Sequence, residues 1–331
     1  MTRKTVMTTI ALIIIFSILL ILLSFDYETK IKVKRKNVEN IYFTGKIFNY
    51  YILGNRCISN PFKSKILGFS KKKAKVVGLL ESQTKNYIVF TKENVITTYV
   101  IEECGLKNYE IGKGSNIISF HISDINNDTN DELLIITGQN SQGFGENLII
   151  FSLDKGLREI YKRHFEALNP WKVETCDVDG DDIKEISIGV YKKAQFHPVM
   201  AKRPFIYNWH GNDISPKWRG SRLARPFEDY TFADIDGDGL DEIIAIENLE
   251  NHRKIVSTYK WKGFGFEGRV ESNQYEEILN IQRVNNEGDK DDIAVKIENG
   301  NGPEWILLHY SNEKLEMKKK LKEHILEVKV K

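Results

Sequence analysis

Four segments of the chain share one pattern: polar and acidic positions followed at once by an unbroken apolar, β-branched run. "SDINNDTNDELLIIT" starts at Ser123, "CDVDGDDIKEISIGV" at Cys176, "ADIDGDGLDEIIAI" at Ala233 and "RVNNEGDKDDIAVKI" at Arg283. The polar loops begin at Asp124, Asp177, Asp234 and Arg283, so they recur after 53, 57 and 49 residues. A recurrence of this length marks a repeat architecture. Counting back about one more period from Asp124 reaches "ILGFSKKKAKVVGLL", where Lys71, Lys72 and Lys73 stand in place of the acids.

Within one period the strand signals are regular. "DEIIAIE", "RKIVSTYKWKG", "FGFEGRVES" and "YEEILNI" follow Asp234, and the preceding period reads "KEISIGVY", "RPFIYNWHG", "DISPKWRG" and "EDYTFAD". Each is short, rich in Ile, Val, Tyr and Phe, and bounded by Gly or Asn. Four strands per unit make an antiparallel sheet that cannot bury both its faces alone. A ring of such sheets does, so the pattern predicts an all-β chain folded as a β-propeller. Units near 71, 124, 177, 234 and 283, with residues 30–70 supplying another and the final "HILEVKVK" a closing strand, give about six blades, with five or seven also open. "LREIYKRHFEALN" (157–169) has a spacing that also suits a short helix.

The first 25 residues differ from the rest. After Arg3 and Lys4 come about eighteen largely apolar residues, Thr8 to Phe25, which as a helix span roughly 27 Å, close to a bilayer core. No small-x-small cleavage site follows and no Cys stands there for lipidation, so the segment reads as a retained signal-anchor (1–25) ahead of a propeller domain (26–331). Arg3 and Lys4 favour an internal N-terminus, and Lys30, Lys32, Lys34, Arg35 and Lys36 beyond the span oppose it.

Composition adds little beyond this. Of 48 Lys and Arg, two lie in the first 25 residues, which leaves 46 against 46 Asp and Glu in the remainder. A neutral domain carries no electrostatic signature for nucleic acid. Cys57, Cys104 and Cys176 fit neither a zinc site nor a disulfide framework. There is no G-x-S-x-G, no H-E-x-x-H, and the seven His are scattered.

The acidic loops carry the chemistry. With Asp234 as position one, Asp236, Asp238 and Glu242 fall at three, five and nine, and the Leu240 carbonyl at seven. Alternate residues of a tight turn project to one side, and hard oxygens without His or Cys select calcium. The same frame gives Asp177, Asp179, Asp181, Glu185 and the Ile183 carbonyl, and then Asp124, Asn126, Asp128, Glu132 and the Asn130 carbonyl. Asp182 and Thr129 occupy position six, where Gly239 supplies freedom for a left-handed backbone. In the fourth loop Arg283 takes position one, with Asn285, Glu287 and Asp291 after it, so a guanidinium is expected to substitute for the metal. An EF-hand is excluded, because position twelve is Ala245, Ile188 or Ile135.

"DIDGDGLDE", "DVDGDDIKE" and "DINNDTNDE" make the chain resemble the integrin-α-like, FG-GAP/VCBS-type calcium-binding repeats over about residues 60–331. The Phe-Gly…Gly-Ala-Pro element of that family is not visible. The resemblance implies a propeller with two to three structural calcium ions in hairpins between the first and second strands of a blade, and ligands on the opposite face. Calcium near millimolar is available outside cells, which places the domain outside the cytoplasm, at the cell surface, or secreted if the leader is cleaved.

The longest connections fall on that opposite face: 138–147, 163–171, 191–204 and 220–229. They present Lys192, His197, Arg203, Arg222, Arg225 and Trp171 among other bases and aromatics, a surface suited to a glycan or a protein partner. The expected function is a membrane-anchored, extracellular binding or adhesion module. The alternative is a polysaccharide-acting lyase or hydrolase on the same scaffold, which needs convergent carboxylates or a Lys/Arg–Tyr pair at the ring centre. A third option, an assembly subunit, needs a large apolar patch on one rim.

Overall fold

A computed structural model of the chain describes residues 109–321 with side chains, apart from 112–114, 140–142, 153–156, 221, 285–289 and 301. Ahead of residue 109 it describes strands as backbone, together with the Ile96 side chain. The apolar leader, Lys71 to Lys73 and the final "HILEVKVK" lie outside the described residues. Among the described residues no helix is long and apolar enough to cross a membrane.

The architecture is all-β and propeller-like, a succession of antiparallel sheets in which each strand pairs with the next in sequence. The first sheet holds β1 (Lys34–Lys36), β2 (Asn40–Ile47), β3 (Tyr50–Gly54), β4 (Arg56–Ser59) and β5 (Ile66–Gly68), five strands where four were expected. The second holds β6 (Lys75–Glu81), β7 (Asn86–Lys92), β8 (Val95–Val100) and β9 (Gly105–Glu110). β5 ends at Gly68 and β6 begins at Lys75, so the two apolar runs that the sequence joins as one hairpin belong to different sheets.

Four blades are described in side-chain detail. The first comprises β10 (Asn116–Ser123), β11 (Glu132–Gly138), β12 (Asn147–Ser152) and β13 (Arg158–His164). The next comprises β14 (Pro170–Cys176), β15 (Glu185–Ala194), β16 (His197–Trp209) and β17 (Ile214–Arg219). Then come β18 (Phe227–Ala233), β19 (Glu242–Asn248), β20 (Lys254–Trp261) and β21 (Phe266–Glu271). The last is β22 (Glu277–Val284), β23 (Asp292–Asn299), β24 (Gly302–Ser311) and β25 (Lys314–Leu321). Residues 158–164 are an outer strand and not a helix; a single 3-10 turn, Glu166–Leu168, follows and ends at Asn169 in a left-handed conformation.

The unbroken apolar runs after each acidic loop are explained by packing on two sides. On β19, Ile243 and Ala245 face the preceding blade, against Cys176, Val178 and Ile206. Their neighbours Ile244 and Ile246 face the following one, against Ile293, Val295 and Ile306. On β11, Leu133 and Ile135 likewise pack with Ile96, while Leu134 and Ile136 pack with Ile186 and Ile188. A strand with a period of two alternates faces, so a second strand sandwiched between two sheets must be apolar at every position. The core is thus a series of seams between blades. The acidic loops sit at one end of those seams, and the β11–β12 and β15–β16 connections lie at the other.

Candidate metal centres

Three loops repeat one geometry: 124–131 between β10 and β11, 177–184 between β14 and β15, and 234–241 between β18 and β19. Position two is a buried anchor in each, Ile125, Val178 or Ile235, set in a core seam. Its backbone N–H donates to Oε2 of the position-nine glutamate, at 3.2 Å to Glu132, 3.1 Å to Glu185 and 3.2 Å to Glu242. The position-one carboxylate accepts from the N–H of position six: Thr129 to Asp124 at 2.7 Å, Asp182 to Asp177 at 3.1 Å and Gly239 to Asp234 at 2.9 Å. Position five closes the turn by accepting from position seven, with Asn130, Ile183 and Leu240 donating to Asp128, Asp181 and Asp238.

Positions four and six are both left-handed. Asn127, Gly180 and Gly237 have φ of 57, 76 and 79°, and Thr129, Asp182 and Gly239 have 68, 62 and 86°. Glycine adopts this region freely, Asn and Asp less so, and β-branched Thr129 at a cost.

These turns gather acids. Carboxylate oxygens of Asp177, Asp179 and Glu185 all lie within 4.8 Å of one another, and so do those of Asp234, Asp236 and Glu242. Burial pushes Glu242 up to about 7, with Asp236 adding to the effect. Burial raises Glu185 as well, against the pull of Lys217. Glu132 is raised to about 8 by burial and by the charges of Asp128, Asp124 and Asp131. A buried carboxylate held in this way gains most from a close cation.

Protein cations already approach two of the loops. Lys217 on β17 contacts Glu185 at 2.6 Å and also Asp179. Lys260 on β20 contacts Asp236 at 2.8 Å, Glu242 at 3.3 Å and also Asp238, and Arg269 on β21 contacts Asp236. Burial works to raise Asp236, but Lys260 and Arg269 outweigh it and hold the group at about 2.

The clustered donors fit a hard divalent cation: they are three carboxylates in each loop, with no thiolate and no imidazole. One detail favours a metal over the ammonium alone. Glu242 is fully buried, yet among the described residues its Oε1 makes no hydrogen bond, and its carboxylate belongs to the cluster. Lys260 and Arg269 come only to 3.3 and 3.7 Å from it.

The fourth loop departs from the sequence reading. Val284 pairs with Asp292, and Arg283 pairs with Ile293, so Arg283 is a strand residue of β22 and the loop is 285–291. It is one residue shorter than the others. Asp292, not Asp291, takes the position-nine place at the start of β23, and it is bonded to His309 at 2.6 Å and Lys318 at 3.0 Å. Arg283 does not fill a metal position; it bridges Asp241 at 3.0 Å and Asp291 at 2.7 Å.

The opposite face is less uniform than its composition suggests. Arg203 is fully buried, where its guanidinium donates to the carbonyls of Lys192, His197 and Val199 and meets His197 Nδ1. It is therefore a clasp and not a surface base, and His197 serves it. Arg225 is paired to Glu247 at 3.1 Å and Glu271 at 2.7 Å. Trp171 stands edge-on to Tyr230, with Lys202 Nζ 4.3 Å above its ring. Gly189 makes room for that indole, since a Cβ there would lie 2.9 Å from it. Lys192 is half-buried and Arg222 exposed.

The innermost strands hold a charged cluster that was not foreseen. Lys172 on β14 contacts Glu174 at 3.0 Å and Asp229 on β18 at 2.7 Å. Its ammonium also donates to the Tyr230 carbonyl, and the Tyr230 hydroxyl bonds Ser187 in the core. Both carboxylates thus converge on a cation of the protein itself.

No family model matches the chain, and no curated protein does. Among solved structures, a protein of unknown function from Bacteroides caccae is similar, at 11% identity over 84% of this chain and 91% of that one, with a TM-score of 0.43.

Proposed function

We propose that the protein is a calcium-stabilised, propeller-scaffolded binding module, anchored to a membrane by residues 8–25 and displayed outside the cytoplasm. Each cation would sit in a blade hairpin, held by Asp177, Asp179, Asp181 and Glu185 in one loop and Asp234, Asp236, Asp238 and Glu242 in another. The Asp124, Asn126, Asp128 and Glu132 loop is the third place. The Ile183, Leu240 and Asn130 carbonyls complete the sets. The observation that carries this reading is the repetition of one hydrogen-bond frame in three successive hairpins around a buried glutamate.

The metal's role is structural: it neutralises acids that would otherwise repel, and so fixes the turn. A glycan or a protein is the ligand class for the opposite face, with Trp171 and Arg222 as contacts. In the Lys172–Glu174–Asp229 cluster both carboxylates are ion-paired to one ammonium, which supports a binding role over glycan cleavage, because general acid–base chemistry needs a carboxyl free to exchange its proton with a substrate. The test is thermal unfolding of the full-length protein in detergent with millimolar calcium, magnesium or chelator. Calcium should raise the melting temperature, and Asp179→Ala combined with Asp236→Ala should abolish the rise. An unchanged wild-type melting curve would end the metal reading.

A further inference from the structure

Two central strands outgrow their blade. β15 has 10 residues and β16 has 13, and their neighbours do not follow them. Pairing of β14 with β15 ends at Val190, and pairing of β17 with β16 begins at Phe205. Residues 192–201 therefore pair only with each other, as a two-stranded arm on the face away from the acidic loops.

The arm ends in exposed apolar groups. Phe196, in the turn, is 87% exposed, and Val199 and Met200 just after it are 56% and 39% exposed. Folding costs are raised by leaving such side chains in water. The arm is also basic: no acid occurs between Glu185 and Asp213, while Lys192 and Lys193 lie just behind the turn. Neither lysine forms an ion pair among the described residues.

The backbone of the arm is closed to strand addition. Arg203 occupies the carbonyls of Lys192, His197 and Val199 from inside. Pro198 offers no N–H, and the register slips between Lys192 and Ala194. What the arm offers is therefore side chains: a rigid apolar tip with ammonium groups behind it. At about 3.3 Å per residue the lysines stand roughly 10 Å behind the tip. Interfacial segments sink their apolar groups about 5–10 Å below the headgroups, and each lysine near an anionic surface adds about 1 kcal/mol.

We propose that the β15–β16 arm docks on an anionic lipid surface, with Phe196, Val199 and Met200 entering the acyl boundary and Lys192 and Lys193 meeting the headgroups. This stands independently of the calcium reading. It is tested with full-length protein carrying Phe196→Trp, reconstituted in phosphatidylcholine vesicles with or without about one-third phosphatidylglycerol, using brominated acyl chains as quencher. The signal is the difference from wild type. Quenching of the added tryptophan should be at least about threefold greater in the anionic vesicles, and Lys192→Glu with Lys193→Glu should remove it. Should that double variant fail to fold, about 0.5 M salt on the Phe196→Trp protein must reduce the quenching instead. Equal quenching in both vesicles, or none, overturns the proposal. So does a tip that becomes buried without lipid as protein concentration rises, which would mean a second copy is its partner.

Discussion

Asp177 and Asp241 belong to neighbouring blades, 64 residues apart, and bond each other twice. The Asp177 N–H donates to Asp241 Oδ2 at 2.9 Å, and the Asp241 N–H donates to the Asp177 carbonyl at 2.7 Å. One blade on, Asp234 and Asp291 repeat the pair, at 3.1 and 2.8 Å. Asp241 and Asp291, the last residues of their loops, therefore each hold the first residue of the loop before, and Arg283 joins the two clasps by bridging Asp241 and Asp291.

Removing one clasp should destabilise the fold beyond a single loop. Asp241→Ala strands a buried N–H, so a loss of about 2 kcal/mol is expected in denaturant unfolding. Asp241→Asn keeps an acceptor for that N–H and loses only the charge pairing with Arg283, so it should cost clearly less. Equal losses for the two variants would show that the reciprocal bond is not what matters.

Thr129 sits at φ 68°, where its counterpart is Gly239. Thr129→Gly relieves the crowding of a β-branched residue there. Stability should rise by about 1 kcal/mol, read from the denaturant midpoint at constant m-value. The same exchange at an ordinary strand position, Thr137, should lower it.

The lysines at the acidic loops set up a competition. Lys260 reaches Asp236, Asp238 and Glu242, the oxygens that a cation would use. Lys260→Met should weaken the calcium-free protein by about 1–3 kcal/mol and tighten calcium binding by roughly tenfold, since one positive charge leaves the site. Weaker calcium binding in this variant would mean that the ammonium supports the site and does not compete for it.

His121 gives the pH dependence. Burial first, then Lys172 and Arg283, lower it from 6.5 to about 4. Besides those two bases, the group facing it is the Thr175 hydroxyl on β14, 3.0 Å from Nε2. The unfolded chain binds the proton more readily, so this contribution is fully present above about pH 6.5 and is lost as pH falls towards 4. From pH 7 to 5 the wild type should lose about 1–2 kcal/mol more than His121→Asn, measured by urea unfolding at each pH.

Much of this was legible in the chain because local rules govern it. "DIDGDGLDE" displays its ligand spacing directly, and runs such as "EIIAI" announce strands buried on both faces. What escaped depends on contacts distant in sequence. Nothing near Asp241 or Asp291 says that each clasps an acid 64 or 57 residues earlier. The fourth loop was framed on Arg283 because the missing residue lies inside a polar run, where no apolar marker fixes the register. The buried anchors Ile125, Val178 and Ile235 did leave a signal, an apolar residue at position two of each of those three loops. Arg203 gave none, since a clasp and a surface base look alike until the arm around it is folded.

The most direct test of the central claim is isothermal titration of the full-length, chelator-treated protein in detergent with calcium chloride. Two to three calcium ions per chain should bind, and Asp179→Ala with Asp236→Ala should remove the two sites built on the Asp177 and Asp234 loops. No heat of binding, or a stoichiometry untouched by those substitutions, would contradict the account.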